Sequence, residues 1–199
     1  MRKLLIVLTM SCIPWAATAG DVAERVEYIR GQYAARLALM QNQPFDDVKT
    51  EQLSTEYARM YPGTGLARFA TTYYWTDDEN EDYMLKPVIY FAVQRSTMNS
   101  GIYHSYREFL YDPETEEPMF MLVTTQRGDD GKRLEYRFYF DKGKLIRQTP
   151  AKIEPVGDDE VWPGIEVDND GHASVAQLLN EFEFHRKNFH NNVDTYSWQ

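Results

Sequence analysis

The sequence predicts an α+β fold: an antiparallel β-meander of about five to six strands, packed by an N-terminal helix and a C-terminal helix. Three observations carry this expectation. Apolar residues recur at helical period near both ends, at Val22, Val26, Ile29, Tyr33, Leu37 and Met40, and again at Val175, Leu178, Phe182, His185 and Phe189. Between them the pattern changes to period two, as in Leu134, Tyr136, Phe138 and Phe140. Short turn-forming links join the alternating segments, so neighbouring strands run antiparallel.

The first helix starts at Asp21 with Glu24 three residues on, a capping-box-like pair, and stops at Asn42 and Pro44. Gly31 weakens its middle by about 1 kcal/mol. A second, shorter helix is expected from Glu51 to Met60, with Leu53, Tyr57 and Met60 on one side and Pro62-Gly63 ending it. Strands are expected at 68–75, 85–95, 102–111, 118–126, 133–140 and 144–149. Pro87 marks either an edge or a strand beginning. Asp112-Pro113-Glu114-Thr115, Gly128-Asp129-Asp130-Gly131 and Asp141-Lys142-Gly143 supply the bends. In the fifth of these strands Glu135, Arg137, Tyr139 and Asp141 are expected on a wet face. The run Met119-Phe120-Met121-Leu122-Val123 is apolar on both faces and belongs at the centre. The final helix is expected from Ala173 to Asn188.

The first nineteen residues read as a secretory leader. Arg2 and Lys3 precede the apolar run Leu4 to Met10, and Ala17-Thr18-Ala19 before Gly20 is a small-x-small cleavage site. The division is thus 1–19 signal peptide and 20–199 single α+β domain. The uncharged stretch is shorter than the about 20 residues a spanning helix needs, and no later segment is apolar enough, so no transmembrane anchor is expected. Export places the protein in the periplasm or outside the cell. Lipidation through Cys12 is the minor alternative. Cys12 is the only cysteine. The mature chain then has no disulfide, no thiolate zinc site and no cysteine nucleophile.

The chain carries 21 Lys and Arg against 31 Asp and Glu, a net charge of −10, and loses two more positive charges with the leader. Such a chain repels phosphate backbones, which excludes nucleic acid as a partner. No nucleophile elbow, zincin helix, P-loop or dinucleotide fingerprint is present. Catalytic, metal and cofactor assignments are therefore none. Asp168-Asn169-Asp170-Gly171 matches part of a calcium loop, but Gln177 stands where a bidentate glutamate is required, and an acidic turn near a helix start explains it. Asp77 to Asp82 reads as a solvated hairpin tip. Glu181 and His185 are one helical turn apart, without an evident third ligand.

By element order, residues 21 to 150 are similar to cystatin-like and nuclear-transport-factor-like folds, in which a helix packs in the curve of a sheet. Arg59-Met60-Tyr61-Pro62-Gly63-Thr64-Gly65, followed by Thr72-Tyr73-Tyr74, resembles small uncharacterised exported proteins of Gram-negative gut bacteria. Neither resemblance implies an activity.

The wet sheet face is the candidate binding surface. Tyr103, Ser105, Arg107 and Phe109 alternate in one strand, and Glu135, Arg137 and Tyr139 in another. Flat rings and Arg forks on one curved face suit a glycan or a short peptide. The candidate ligand-binding residues are Tyr103, Arg107, Glu135, Arg137 and Tyr139. The leading expectation is an exported, non-enzymatic ligand- or protein-binding domain. The alternatives are a glycan- or cell-wall-acting hydrolase with Glu108 or Glu135 as general acid, which needs a second carboxylate nearby, and a structural subunit of an envelope assembly.

Overall fold

The computed structural model describes residues 19–41, 51–63, 65–79, 85–98, 102–127, 133–149, 152–154 and 174–196. Two helices, α1 (Ala19–Gln41) and α2 (Val175–Tyr196), flank the sheet. The strands are β1 (Glu51–Tyr61), β2 (Gly65–Glu79), β3 (Leu85–Met98), β4 (Tyr103–Tyr111), β5 (Pro118–Arg127), β6 (Arg133–Asp141), β7 (Lys144–Gln148) and β8 (Lys152–Glu154). Every pairing is antiparallel, in the order β1-β2-β3-β4-β5-β6-β7, with β8 beside β6. This is the expected α+β meander with two further strands, β1 and β8.

The expected helix over 51–60 is strand β1. Leu53, Tyr57 and Met60 have helical spacing, but Leu53, Thr55 and Tyr57 also alternate. Register with β2 decides, Glu51↔Trp75 through Tyr61↔Gly65. Pro62-Gly63 is the hairpin turn rather than a helix stop, and Gly63 sits at φ 85°, where only glycine is unstrained. Pro87 lies near the start of an interior strand, so it marks a beginning and not an edge.

Each turn has a local cause. The Asp112 carboxylate accepts from the N–H groups of Glu114 (3.0 Å) and Thr115 (3.1 Å). Lys142 and Gly143 both take positive φ, 48° and 70°, which is the two-residue hairpin geometry that matches strand twist. Residues 80–84 between β2 and β3, the 128–132 turn, residues 1–18 of the leader and the 166–171 acidic loop lie outside the described residues; of the expected acidic tip, Asp77, Asp78 and Glu79 are paired residues of β2, and Ala19 opens α1.

The two helices cover opposite faces of the sheet. α1 packs Val26 and Ile29 against Tyr90, Phe91, Leu110, Phe120 and Tyr139. α2 packs Leu178, Phe182 and Phe189 against Tyr73, Trp75, Phe109, Tyr111 and Phe140. Register breaks at Tyr74/Trp75, Leu110/Tyr111 and Tyr139/Phe140 leave Tyr90, Met119 and Ile146 as extra residues in β3, β5 and β7. All three pack in the α1-side core. Each bulge therefore adds one apolar side chain under α1. The doubly apolar run of β5 divides accordingly: Met119, Phe120 and Leu122 meet α1, while Met121 and Val123 meet α2.

α2 begins two residues later than expected and ends eight residues further on. Ser174 caps it: its Oγ accepts from the N–H of Gln177 (3.4 Å), and its carbonyl accepts from Leu178 N–H (3.1 Å).

Candidate functional site

Cross-strand register assembles the α2-side floor. One row runs Thr55, Thr71, Gln94, Arg107, Val123 and Tyr136, and the next runs Tyr57, Phe69, Ser96, Ser105, Thr125 and Leu134. The first row lies beside α2. Between helix and floor is a groove of about 580 Å³, lined by Tyr57, Phe69, Gln94, Arg107, Glu181 and Phe184 among others.

Its outer lip is aromatic. Tyr57 and Phe69 stack with centroids 4.6 Å apart and planes 13° apart. Tyr57 is 43% exposed and Phe184, facing it from α2, 51%. Its inner end is polar. The Arg107 guanidinium donates to the Glu181 carboxylate, and both are largely buried. Gln94, Gln177 and Asn180 add amide donors and acceptors at the walls.

His185 lies beneath this end, 2% exposed. Burial, then the Arg107 charge, lowers its pKa to about 3, so the ring is neutral at physiological pH. Asn188 Nδ2 donates to the Tyr73 hydroxyl at 2.6 Å, and that hydroxyl lies 3.3 Å from His185 Nδ1. With Tyr73 donating onward, Nδ1 is the acceptor and Nε2 carries the ring proton. The helical spacing of Glu181 and His185 thus serves two separate jobs, an ion pair and a hydrogen-bond chain. His190 pairs instead with Glu116 at 2.8 Å. Among the described residues no three His, Cys, Asp or Glu side chains converge as a metal site.

The other face carries a second polar cluster. Glu108, 5% exposed, accepts hydrogen bonds from the hydroxyls of Tyr33 on α1 and Tyr106 on its own strand. Burial, then these bonds, raises the pKa of both tyrosines well above the ordinary phenol range. Arg137 pairs with Glu135 at 2.7 Å. A small cavity of about 140 Å³ remains between Ile29, Arg30, Tyr33, Leu122, Arg137 and Tyr139.

The five residues picked from alternation are therefore divided. Arg107 and, by alternation along β4, Tyr103 belong to the α2 face. Glu135, Arg137 and Tyr139 belong to the α1 face with Glu108. The register shows why: Arg107 pairs with Val123 and Val123 with Tyr136, whereas Glu108 pairs with Leu122 and Leu122 with Arg137. The expected single surface is corrected to two. The expected wet face of β6 is corrected as well. Tyr139 is 2% exposed, packed on Phe120 at 5.1 Å and covered by α1. Asp141 pairs with Arg25 of α1 at 2.8 Å. Of the five, only Arg107 lines the groove. Sequence reasoning missed Tyr57, Phe69 and Phe184. The signal for Tyr57 was the alternation in 53–57, which the helical reading hid.

Comparison with protein-family models, curated proteins and solved structures returns no match. Among the described residues no helix is long and apolar enough to cross a membrane.

Proposed function

We propose that the chain is an exported, non-enzymatic recognition domain that holds a glycan or a short peptide in the α2-side groove. The observation that carries this reading is the exposed Tyr57–Phe69 stack at the lip, opposite the Arg107–Glu181 pair. Flat rings offer stacking area to a sugar face or a side chain, and the ion pair and amides offer directed hydrogen bonds. The groove is mostly built by interior strands and a capped helix, so the contacts are preorganised.

The hydrolase alternative draws less support from the geometry. Glu108 is turned to two phenols, and Glu135 to Arg137. Neither lines the groove. Export rests on the leader grammar of residues 1–19. Mass spectrometry of the protein recovered from a Gram-negative host tests it: the expected N-terminus is Gly20, and a retained Met1 overturns export with cleavage.

The groove is tested by titrating defined oligosaccharides and short peptides while recording tyrosine and tryptophan fluorescence. Saturable binding by a member of either set is expected. Tyr57→Ala, which removes an exposed ring, is expected to weaken it roughly tenfold with folding unchanged. Binding that Tyr57→Ala and Arg107→Gln leave unaltered overturns the groove.

A further inference from the structure

One turn of α1 roofs a cavity against the sheet. The roof is Ile29, Arg30 and Tyr33. The floor is two neighbouring cross-strand pairs, Phe120↔Tyr139 and Leu122↔Arg137, two residues apart along each strand and so on one face. The polar roof residues reach to different strands. The Tyr33 hydroxyl donates to Glu108 on β4, which stands opposite Leu122. Arg30 reaches to β6: its guanidinium lies over the Tyr139 ring, 5.7 Å from the centroid, and its Nε donates to the Tyr139 hydroxyl at 3.4 Å. The space left between them is about 140 Å³.

Two features separate this cavity from a packing defect. The first is its division. Ile29, Phe120 and Tyr139 are buried, whereas the side chains of Arg30 and Arg137 are 50% and 42% exposed, so the walls are apolar inside and cationic toward solvent. The second is that its polar groups are donors. Arg137 gives Nε and Nη2 to one oxygen of Glu135, at 2.9 and 2.7 Å, and retains Nη1. Tyr139 is buried; its hydroxyl accepts from Arg30, and its own proton has no acceptor among the described residues. A buried donor without an acceptor is costly, and an oxygen held in the cavity would satisfy it. Three carboxylates stand nearby, each engaged elsewhere: Glu27 with Arg30, Glu135 with Arg137 and Glu108 with two phenols. None of the three lines the cavity. The Arg30–Glu27 pair is exposed and 3.4 Å long, so it restrains Arg30 weakly.

We infer that the cavity binds a small carboxylate with a short apolar tail. Arg30, Arg137 and the Tyr139 hydroxyl take its oxygens, and Ile29, Phe120 and Leu122 take its tail. Volume sets the length: a cavity of this size holds a ligand of roughly six heavy atoms, the size of a four-carbon acid. Donor chemistry sets the head group. Guanidinium forks match a carboxylate with paired N–H donors. An ammonium head would meet two guanidiniums, and an alcohol head would offer a single oxygen to three donors. The site does not depend on the groove, which lies on the opposite face of the sheet.

Titration of butyrate into the purified, isotope-labelled protein at neutral pH, followed by amide chemical shifts, tests this. Saturable shifts are expected at residues 29–33, 120–122 and 137–139, with a Kd on the order of 1 mM. Butyramide, butan-1-ol and butylamine carry the same tail and are each expected to bind at least about tenfold more weakly. Arg30→Gln and Arg137→Gln are each expected to weaken butyrate about tenfold, and Tyr139→Phe about threefold, with thermal melting retained. Leu122→Phe is expected to abolish binding by filling the space without removing a charge. Arg59→Gln, on the other face, is expected to leave it unchanged. Absence of saturable shifts overturns the site, as do shifts that cluster in the groove or an equal loss in Arg59→Gln. Equal binding of butyramide or butylamine overturns the carboxylate assignment.

Discussion

His185 shows how one side chain acquires a role that its residue type does not reveal. The ring lies among Tyr73, Phe109 and Phe184, 6.0, 4.4 and 5.2 Å away between centroids, with the Arg107 charge nearby. The folded protein keeps it neutral down to about pH 3, whereas the unfolded chain protonates it near pH 6.5. Between those values the unfolded state binds the additional proton. Stability therefore falls as pH drops below 6.5, by about 1.4 kcal/mol per pH unit from this group alone, and is insensitive to it above 6.5. Urea unfolding at pH 7, 6 and 5 measures the slope, and His185→Gln is expected to flatten it. Glu116 acts lower. Burial pushes it up, but hydrogen bonds from His190 and the Ile89 N–H outweigh that and hold the carboxyl below its ordinary value, so its contribution is lost only as pH falls through the carboxylate range. Glu108 is the other buried residue with a wide consequence. The Tyr33 donor ties β4 to α1, while Tyr106 donates from within β4, so Tyr33→Phe is expected to cost about 1–3 kcal/mol. Faster amide exchange in α1 than in β3 and β4 would locate that loss. The pairing of Tyr33 with Glu108 was illegible in the sequence, because 75 residues separate the partners and nothing local marks them.

At the scale of elements, glycines separate local from tertiary causes. Gly31 is exposed in the middle of α1, and a methyl group there would meet no atom within 4 Å. Gly31→Ala is expected to stabilise the protein by about 1 kcal/mol. Gly63 also has open space around it, but its φ of 85° is one that alanine resists. Gly63→Ala is expected to destabilise by about 1–2 kcal/mol despite the absence of a clash. Chemical denaturation of both variants reads the opposite signs. The same contrast explains the error over 51–60. Leu53, Tyr57 and Met60 satisfy a helical period, and the segment has no local feature that forbids a helix. Pairing with β2 over eleven residues supplied the deciding stabilisation. The long amphipathic segments at either end were legible because their periodicity is sustained, and the Asp112 and Lys142-Gly143 turns because their chemistry is local. The three bulges were not legible, since each depends on a mismatch between two strands.

For the molecule as a whole, the sheet is a partition. α1 and α2 cover opposite faces, and beyond α2 its face carries the aromatic-lipped groove. Phe182 is central to the α2 layer. It meets Phe109, Tyr111 and Phe140 edge-on at 5.2–5.4 Å, and its carbonyl accepts from the Tyr111 hydroxyl at 3.0 Å. Phe182→Ala is expected to destabilise by about 3–5 kcal/mol, measured by chemical denaturation, and to abolish groove binding by releasing α2 from the floor. The α+β class, the antiparallel order of the meander and both flanking helices were determined by the sequence alone, because each follows from hydrophobic period and from turns of a few residues. Which side chains share a face was decided only by the tertiary structure. Side chains alternate strictly along a strand, so a single bulge or a shift of one residue in pairing moves a whole row from one helix to the other. That parity is a property of two strands together, and it separated Arg107 from Glu135, Arg137 and Tyr139.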